Sequence, residues 1–430
     1  MVIVPVSHKL IFVIMLTIML PISATAQSKR NVTLGSVLLV AGQPNLTWES
    51  PSGDFAFGFR QVSPGGYLLA IMFLKTSQKT IAWSANGDNV AGIGSKVQLS
   101  DDGSKLVLSD SNGQHIWAAS LNGSGVAYGA MLDNGNFMLA RNDSTVLWQS
   151  FDEPTDTLLP GQVLNQGGTL FSSLSETNHS RGRFKLIMQT DGNLVLYPVN
   201  YPPTDSPTAY WASNTYNAGG FRVNFTQTGY IYVAYENGTT LHYLFSKAVS
   251  DIRFYQRLTL DRDGLLRHYV FPKSANSTDG AWSVHGLLPS DICLRIGGRE
   301  GGGVCGYNSV CTLGFDHRPI CNCPEGYSLV DPADKMSGCN PDFRRQGCGR
   351  NSTEGIELVE LDSTEWPDSD YEHYNSVSED WCHDSCLNDC KCDAAFFREG
   401  ECWKNSSPLR HGRVDYGRGG KTLMKISGKE

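Results

Sequence analysis

The chain has 430 residues with 45 glycines and 19 prolines, carries a formal charge of −8, and is 40% hydrophobic against 18% charged. A single core does not grow to that length, so three or four domains are expected. The acidic balance argues against nucleic acid or an anionic membrane as partner.

In chain order, residues 1–26 read as a secretory signal. Lys9 ends a weakly basic start, Leu10–Leu20 is an apolar run interrupted by Thr17, and Ala24-Thr25-Ala26 is a small-x-small cleavage pattern. The run is too short to cross a bilayer. Its removal takes away one lysine and no acid, so the mature charge is −9. The end, Ile426-Ser-Gly-Lys-Glu430, carries no lipid-anchor signal. As given, the chain is expected to be exported and released; a cell-membrane location requires a span beyond Glu430. Export agrees with ten Asn-x-Ser/Thr acceptors, Asn31, Asn45, Asn122, Asn142, Asn178, Asn224, Asn237, Asn276, Asn351 and Asn405, which predict a glycosylated surface.

From about residue 30 to 285 the sequence repeats. Trp83, Trp117, Trp148 and Trp211 each sit in a short apolar strand-like string, the first three 34 and 31 residues apart and the last gap 63. Between them come Asp-rich turns followed by apolar alternation, at Asp102–Leu108, Asp133–Leu139 and Asp191–Leu196, with a weaker copy at Asp263–Leu266. Long helical periodicity is scarce and turn signals are frequent, so an all-β chain of stacked antiparallel sheets is predicted.

The string Gln189-Thr-Asp191-Gly-Asn193-Leu-Val195-Leu-Tyr197 is the strongest local signal. Read as one strand, period-two alternation places Gln189, Asp191, Asn193, Val195 and Tyr197 on one face and Thr190, Gly192, Leu194 and Leu196 on the inward one. An amide, a carboxylate, an amide, a small apolar patch and a phenol suit the vicinal hydroxyls and C–H face of a hexose. Asp-Gly-Asn is also a hairpin-turn signal, and polar alternation marks any solvated sheet face.

All twelve cysteines lie between Cys293 and Cys402. Residues before them must be held by buried apolar area, whereas the rest reads as small disulfide-stapled modules. Cys-x-Cys spacing also suits zinc, but an exported chain favours disulfides. Fifteen pairings of six cysteines are open on sequence alone.

Several motifs carry a family resemblance. The 189–197 string fits the Gln-x-Asp-x-Asn-x-Val-x-Tyr pattern of bulb-type mannose-binding lectins at all five named positions, and Trp148-Gln-Ser-Phe-Asp-Glu-Pro-Thr-Asp-Thr-Leu-Leu-Pro-Gly-Gln162 resembles the linker of plant G-type (S-domain) lectin receptor-like serine/threonine kinases. Gly53–Phe59 is similar to an early strand of the first lectin domain of that family. The resemblance implies tandem β-prism domains at 27–152 and 153–288, an EGF-like module at 289–340 and a PAN/apple module at 341–428. It implies the pairs Cys293–Cys311, Cys305–Cys321, Cys323–Cys339, Cys382–Cys402 and Cys386–Cys392, leaving Cys348 with Cys390, and a short PAN helix carrying Cys386 and Cys390. The expected partner is a mannose-type glycan or glycoprotein, or a protein or second copy through the PAN or EGF-like surface with the lectin folds as scaffold. No metal or cofactor is expected; only Asp291 precedes the first EGF-like cysteine, so calcium is not either.

The first lectin repeat departs from the sugar pattern. Around Asp102 the register is broken, and aligning Asp133 with Asp191 puts Met131, Phe137 and Leu139 at the Gln, Val and Tyr positions. One site, at 189–197, is therefore expected to be competent, with a dissociation constant on the order of millimolar for a shallow surface. No kinase motif occurs, neither Val-Ala-x-Lys after a Gly-rich loop, nor His-Arg-Asp, nor Asp-Phe-Gly. Gly297–Gly303 reads as a connector, and Asp152, Glu153 and Asp156 as solvated linker acids rather than a glycosidase pair, so no catalysis is expected.

Overall fold

In the computed structural model, the described residues are 31–41, 47–199, 208–274, 280–298, 301–343 and 355–427. The proposed signal segment, Cys348 and the acceptors Asn45, Asn276 and Asn351 lie outside them.

Residues 31–149 form three four-stranded antiparallel sheets. Three short strands, Asn31–Thr33, Val37–Leu39 and Thr47–Glu49, each open a different sheet. The chain then completes the third sheet with Phe55–Ser63, Gly66–Phe73 and Ile81–Ser84. Next it completes the second with Lys96–Leu99, Leu106–Ser109 and His115–Ala118, and finally the first with Tyr128–Met131, Phe137–Ala140 and Val146–Gln149. This nested order makes each sheet's inner face meet the other two, because no single sheet can bury its apolar side alone. The recurring tryptophans mark the meeting line. Trp83, Trp117 and Trp148 come one from each sheet, with ring centroids 5.7–6.0 Å apart in edge-to-face contacts.

Residues 157–288 repeat the plan. Thr157–Leu158, Val163–Asn165 and Thr169–Ser173 open three sheets that close in reverse order. The sheet begun by Thr169–Ser173 continues with Arg181–Met188, Leu194–Pro198 and Trp211–Ala212. Its core holds Leu170, Phe184, Leu186, Met188, Leu194 and Leu196, all at or below 1% exposure. The two prisms touch through polar and ring contacts. Trp83 Nε1 donates to the Glu153 carbonyl at 2.7 Å, Tyr255 Oη to Asp54 Oδ1 at 2.8 Å and Trp282 Nε1 to Thr80 Oγ1 at 2.8 Å. Phe73 also meets the edges of Tyr255 and Trp282.

Beyond Leu288 the chain depends on cross-links. Disulfides join Cys293 to Cys311, Cys305 to Cys321, Cys323 to Cys339, Cys382 to Cys402 and Cys386 to Cys392, and Cys390 is also disulfide-bonded. A five-stranded sheet ordered Ile356–Asp362, Lys421–Ser427, Ala394–Arg398, Glu401–Asn405, Asp370–Asn375 packs against the helix Glu379–Leu387. Ser378 caps that helix by accepting from the Trp381 amide, and Glu379 and Asp380 suit its positive end. The helix carries Cys382 and Cys386, not Cys386 and Cys390 as the resemblance implied. It ends at Leu387, where Asn388 donates back to the Asp384 carbonyl, so Cys390 lies on the following turn.

The two cysteine-rich stretches are not separate beads. Val310–Leu313 and Pro319–Asn322 share one sheet with Arg413–Val414 and Thr364–Glu365. Trp366, 1% exposed, donates from Nε1 to the Ser309 carbonyl across the same junction.

Candidate glycan site

The 189–197 segment is a hairpin rather than the single strand expected from alternation. Arg181–Met188 ends before Gln189, the chain reverses over Thr190–Gly192, and Leu194–Pro198 runs back. The Gly192 amide donates to the Gln189 carbonyl at 3.1 Å and the Gln189 amide to the Asn193 carbonyl at 2.8 Å. Gly192 has φ +89°, and a Cβ there would lie 2.7 Å from the Gly220 carbonyl oxygen, so both turn and packing demand glycine. Thr190, assigned to the inward face, is exposed at the tip.

Sidedness nevertheless survives the reversal, because residues directly opposite in an antiparallel pair share a face. Leu194 and Leu196 point inward at 0% exposure. Lys185 pairs with Tyr197 and Ile187 with Val195, so Gln189, Asn193, Val195 and Tyr197 lie on the outer face with Asp191 at the tip. The fold brings Gln189 Nε2 within 3.1 Å of Tyr197 Oη, where one straight strand keeps them some 26 Å apart. Val195 does not offer the open apolar patch expected of it; between Ile187 and Ala212 it is 1% exposed.

Part of the row's polarity is consumed internally. Asp191 Oδ1 accepts from the Asn193 amide at 2.9 Å. Asn193 Oδ1 accepts from Ser213 Oγ and from the Thr215 amide, both at 3.1 Å. Gln189 Nε2 gives one of its two hydrogens to Tyr197 Oη. Among the described residues, Gln189 Oε1, the second Gln189 Nε2 hydrogen, Asp191 Oδ2, Asn193 Nδ2 and the Tyr197 hydroxyl proton remain without partners. That leaves two acceptor oxygens and three donor groups on one exposed hairpin, enough to pair two adjacent sugar hydroxyls.

The same turn recurs in other sheets, with matching amide-to-carbonyl closures at 132–136, 226–230 and 261–265. This fixes the correspondence and corrects the alignment read from sequence. Gly135 matches Gly192, so Asn134, not Asp133, matches Asp191, and Leu132, Met138 and Ala140 take the Gln, Val and Tyr positions. Asn136 repeats the Asn193 clip, its Oδ1 accepting from Ser150 Oγ at 3.1 Å. At Ser100–Lys105 the loop is one residue longer, which is the broken register around Asp102.

In the 261–265 sheet the five positions are Asp261, Asp263, Leu265, Arg267 and Tyr269. Arg267, 0% exposed, donates to both carboxylates, and Arg318 from the cysteine-rich part reaches Asp263 at 3.0 Å. Tyr269 Oη donates to Asp261 at 2.6 Å, an echo of Gln189 and Tyr197; burial and that carboxylate push its phenol up to about 12. Ion pairing occupies this face where the 189–197 face stays open.

The described acceptors Asn31, Asn122, Asn142, Asn178 and Asn237 are exposed and Asn224 half-buried. Asn405 is 2% exposed in the strand Glu401–Asn405, which leaves no room for a glycan and removes it from the expected set. Among the described residues no cluster of three metal-ligating side chains occurs, and no helix is long and apolar enough to cross a membrane.

A D-mannose binding lectin family model matches residues 80–169, and a PAN-like domain model matches residues 348–409. The first match spans the Trp148 linker string and stops short of Gln189. A G-type lectin S-receptor-like serine/threonine-protein kinase, LECRK3 of Oryza sativa subsp. indica, is 38% identical over 440 residues, 98% of this chain and 54% of its own length. Its counterpart RLK1 of Arabidopsis thaliana is 39% identical over 89% of this chain and 48% of its own length. Over 98% of its length the chain is homologous to plant G-type lectin S-receptor-like kinases. It spans about half the length of the curated relatives it matches. Among solved structures, the monomeric mannose-binding lectins of Gastrodia elata are 24% identical, covering 31% of this chain and 96% of theirs at a TM-score of 0.23. The snowdrop mannose-specific agglutinin, solved with methyl-α-D-mannoside, is likewise 24% identical, covering 29% and 96% at a TM-score of 0.22.

Proposed function

We propose that this chain is a non-catalytic, extracellular or cell-surface glycan-sensing region that binds mannose-type sugars through Gln189, Asp191, Asn193 and Tyr197, with Val195 as buried support. In this reading residues 1–26 are a leader. Units at 27–152 and 153–288 are lectin domains, and 289–340 and 341–428 are the EGF-like and PAN modules. The observation that carries the reading is the set of unpartnered acceptors and donors left on the exposed 189–197 hairpin, whereas the 132–136 counterpart has apolar residues at the Gln, Val and Tyr positions and the 261–265 counterpart is closed by ion pairs. The relatives are named as kinases, and the role here is ligand sensing on behalf of such a protein.

A glycan array with wild type and Asp191→Ala tests this. Asp191 is exposed, so its loss spares the fold. Mannose-class binding that disappears in the variant supports the reading. Unchanged binding, or none in the wild type, refutes it and favours the second reading, a scaffold whose cysteine-rich surface takes a protein partner. The observation behind that alternative is the burial of Val195, which removes the apolar platform a sugar ring ordinarily rests on.

A further inference from the structure

The geometry points to an extended subsite: the outer face of the Thr169–Ala212 sheet continues from the 189–197 hairpin into a cleft between the two prisms, making the site a reader of oligosaccharides rather than of single sugars. This deepens the mannose-class reading of the same site and rests on it.

The continuity follows from strand register. Tyr197 pairs with Lys185, and Lys185 with Phe171, so the three side chains form a row across three strands on the outer face. The Lys185 ammonium lies 5.5 Å over the Tyr197 ring, and the Arg181 guanidinium 4.7 Å over the Phe171 ring. Neither cation has an ion pair among the described residues. Two strand spacings separate Tyr197 from Phe171, roughly 10 Å, further than one hexose ring reaches.

Phe171 and Arg181 form one wall of a cavity of about 190 Å³. Ser84 and Asp88 of the first prism line it too, as do Asp156 and His179. A second groove of about 500 Å³ shares Asp156 and His179 and runs on between the prisms. Asp156 is not the solvated linker acid expected from sequence. Its Oδ1 accepts from Thr157 Oγ1 at 2.8 Å and its Oδ2 from Ser173 Oγ at 2.9 Å, which fixes the carboxylate while leaving each oxygen a further lone pair. An aromatic ring for C–H stacking beside a fixed acceptor and hydroxyls is sugar-binding chemistry, and cations interleaved with acids favour a neutral polyhydroxyl chain over a strongly charged one. The walls are held in place by the Arg181 amide, which donates to Asp88 Oδ1 at 2.9 Å, and by Trp83 on the Glu153 carbonyl.

The test is isothermal titration of the full chain with methyl-α-mannoside, mannobiose, mannotriose and mannopentaose. Affinity is expected to rise at least tenfold from one sugar to three, the gain of two or so net hydrogen bonds. Phe171→Ala and, from the first prism, Ser84→Phe as a plug should each abolish that rise while leaving methyl-α-mannoside affinity unchanged; Asp191→Ala should lose every ligand. Equal affinity for the mannoside and the pentaose, or a length dependence that survives both cleft variants, overturns the subsite and leaves the single-sugar reading standing. Absence of binding to any of the four overturns the mannose reading and the subsite together. Because the two cleft variants lie in different prisms, misfolding of one leaves the other to decide.

Discussion

In the proposed site Asn193 would serve the fold with one atom and the ligand with another, and substitution can separate the two. Its Oδ1 accepts from Ser213 Oγ and the Thr215 amide, and Ser213 and Thr215 are 5% and 4% exposed. Asn193→Ala strands two buried donors. Each would cost about 1–1.5 kcal/mol, but the Ser213 hydroxyl can turn to Thr215 Oγ1, 2.7 Å away, so only the Thr215 amide stays stranded and the net loss should be about 1–1.5 kcal/mol. Asn193→Asp keeps the oxygen acceptor and exchanges only the Nδ2 donor. It should hold stability within about 0.5 kcal/mol of wild type while removing mannose binding. Asp191→Ala gives up one exposed contact to the Asn193 amide and should behave likewise. Asn136→Ala, which breaks the matching clip to Ser150 in the other prism, should destabilise by about 2 kcal/mol with sugar binding intact. Urea midpoints followed by tryptophan fluorescence, read beside glycan binding, give both quantities. The reasoning is refuted if Asn193→Ala unfolds with wild type, or if Asn193→Asp is as unstable as Asn193→Ala.

Three further outcomes are expected. His268, 0% exposed, is held well below the usual imidazole range, to about 3, by desolvation and then by His285. The unfolded chain binds the extra proton, so stability from this group is present above about pH 6.5 and drains away as pH falls towards 3, by several kcal/mol; His268→Gln should flatten that part of a stability-against-pH curve. Asp263→Asn should destabilise the second prism by about 3 kcal/mol, because it leaves buried Arg267 short of a counter-charge, whereas Arg318→Ala, at the wetter end of the cluster, should cost about 1 kcal/mol or less, both by chemical denaturation. Peptide mapping of protein secreted from a eukaryotic host should find glycan on Asn122, Asn142 and Asn237 and none on Asn405; substantial occupancy of Asn405 contradicts the strand position described for it.

What the sequence disclosed, and what it hid, divides along physical lines. Apolar alternation and the tryptophan spacing made the sheets legible, since burial of Leu194, Leu196 and the Trp83–Trp117–Trp148 triangle is a demand that each local segment states for itself. The hairpin at 190–192 was written in Asp-Gly-Asn as plainly as the alternation was, and the two signals compete over the same residues; the turn prevails because Gly192 alone can sit at φ +89° against Gly220. The one-residue misreading of Asp133 had the same origin, as two adjacent acceptors, Asp133 and Asn134, cannot be ranked until the closing hydrogen bonds are seen. The burial of Val195 under Ala212, the Asn193 clip to Ser213 and the Ser173 bond to Asp156 each join residues at least 17 positions apart, and no local pattern announces them.

The strand pairing of Cys311 with Arg413, closed on its other side by Glu365, bears on how such chains can be recombined. A graft that cuts between the two cysteine-rich stretches would tear a β-sheet and leave raw edges on both products, with the Trp366 indole stripped of its carbonyl. Chimaeras should therefore exchange everything from Ile292 onward as one cassette, and evolutionary shuffling within this architecture is constrained to the same joint.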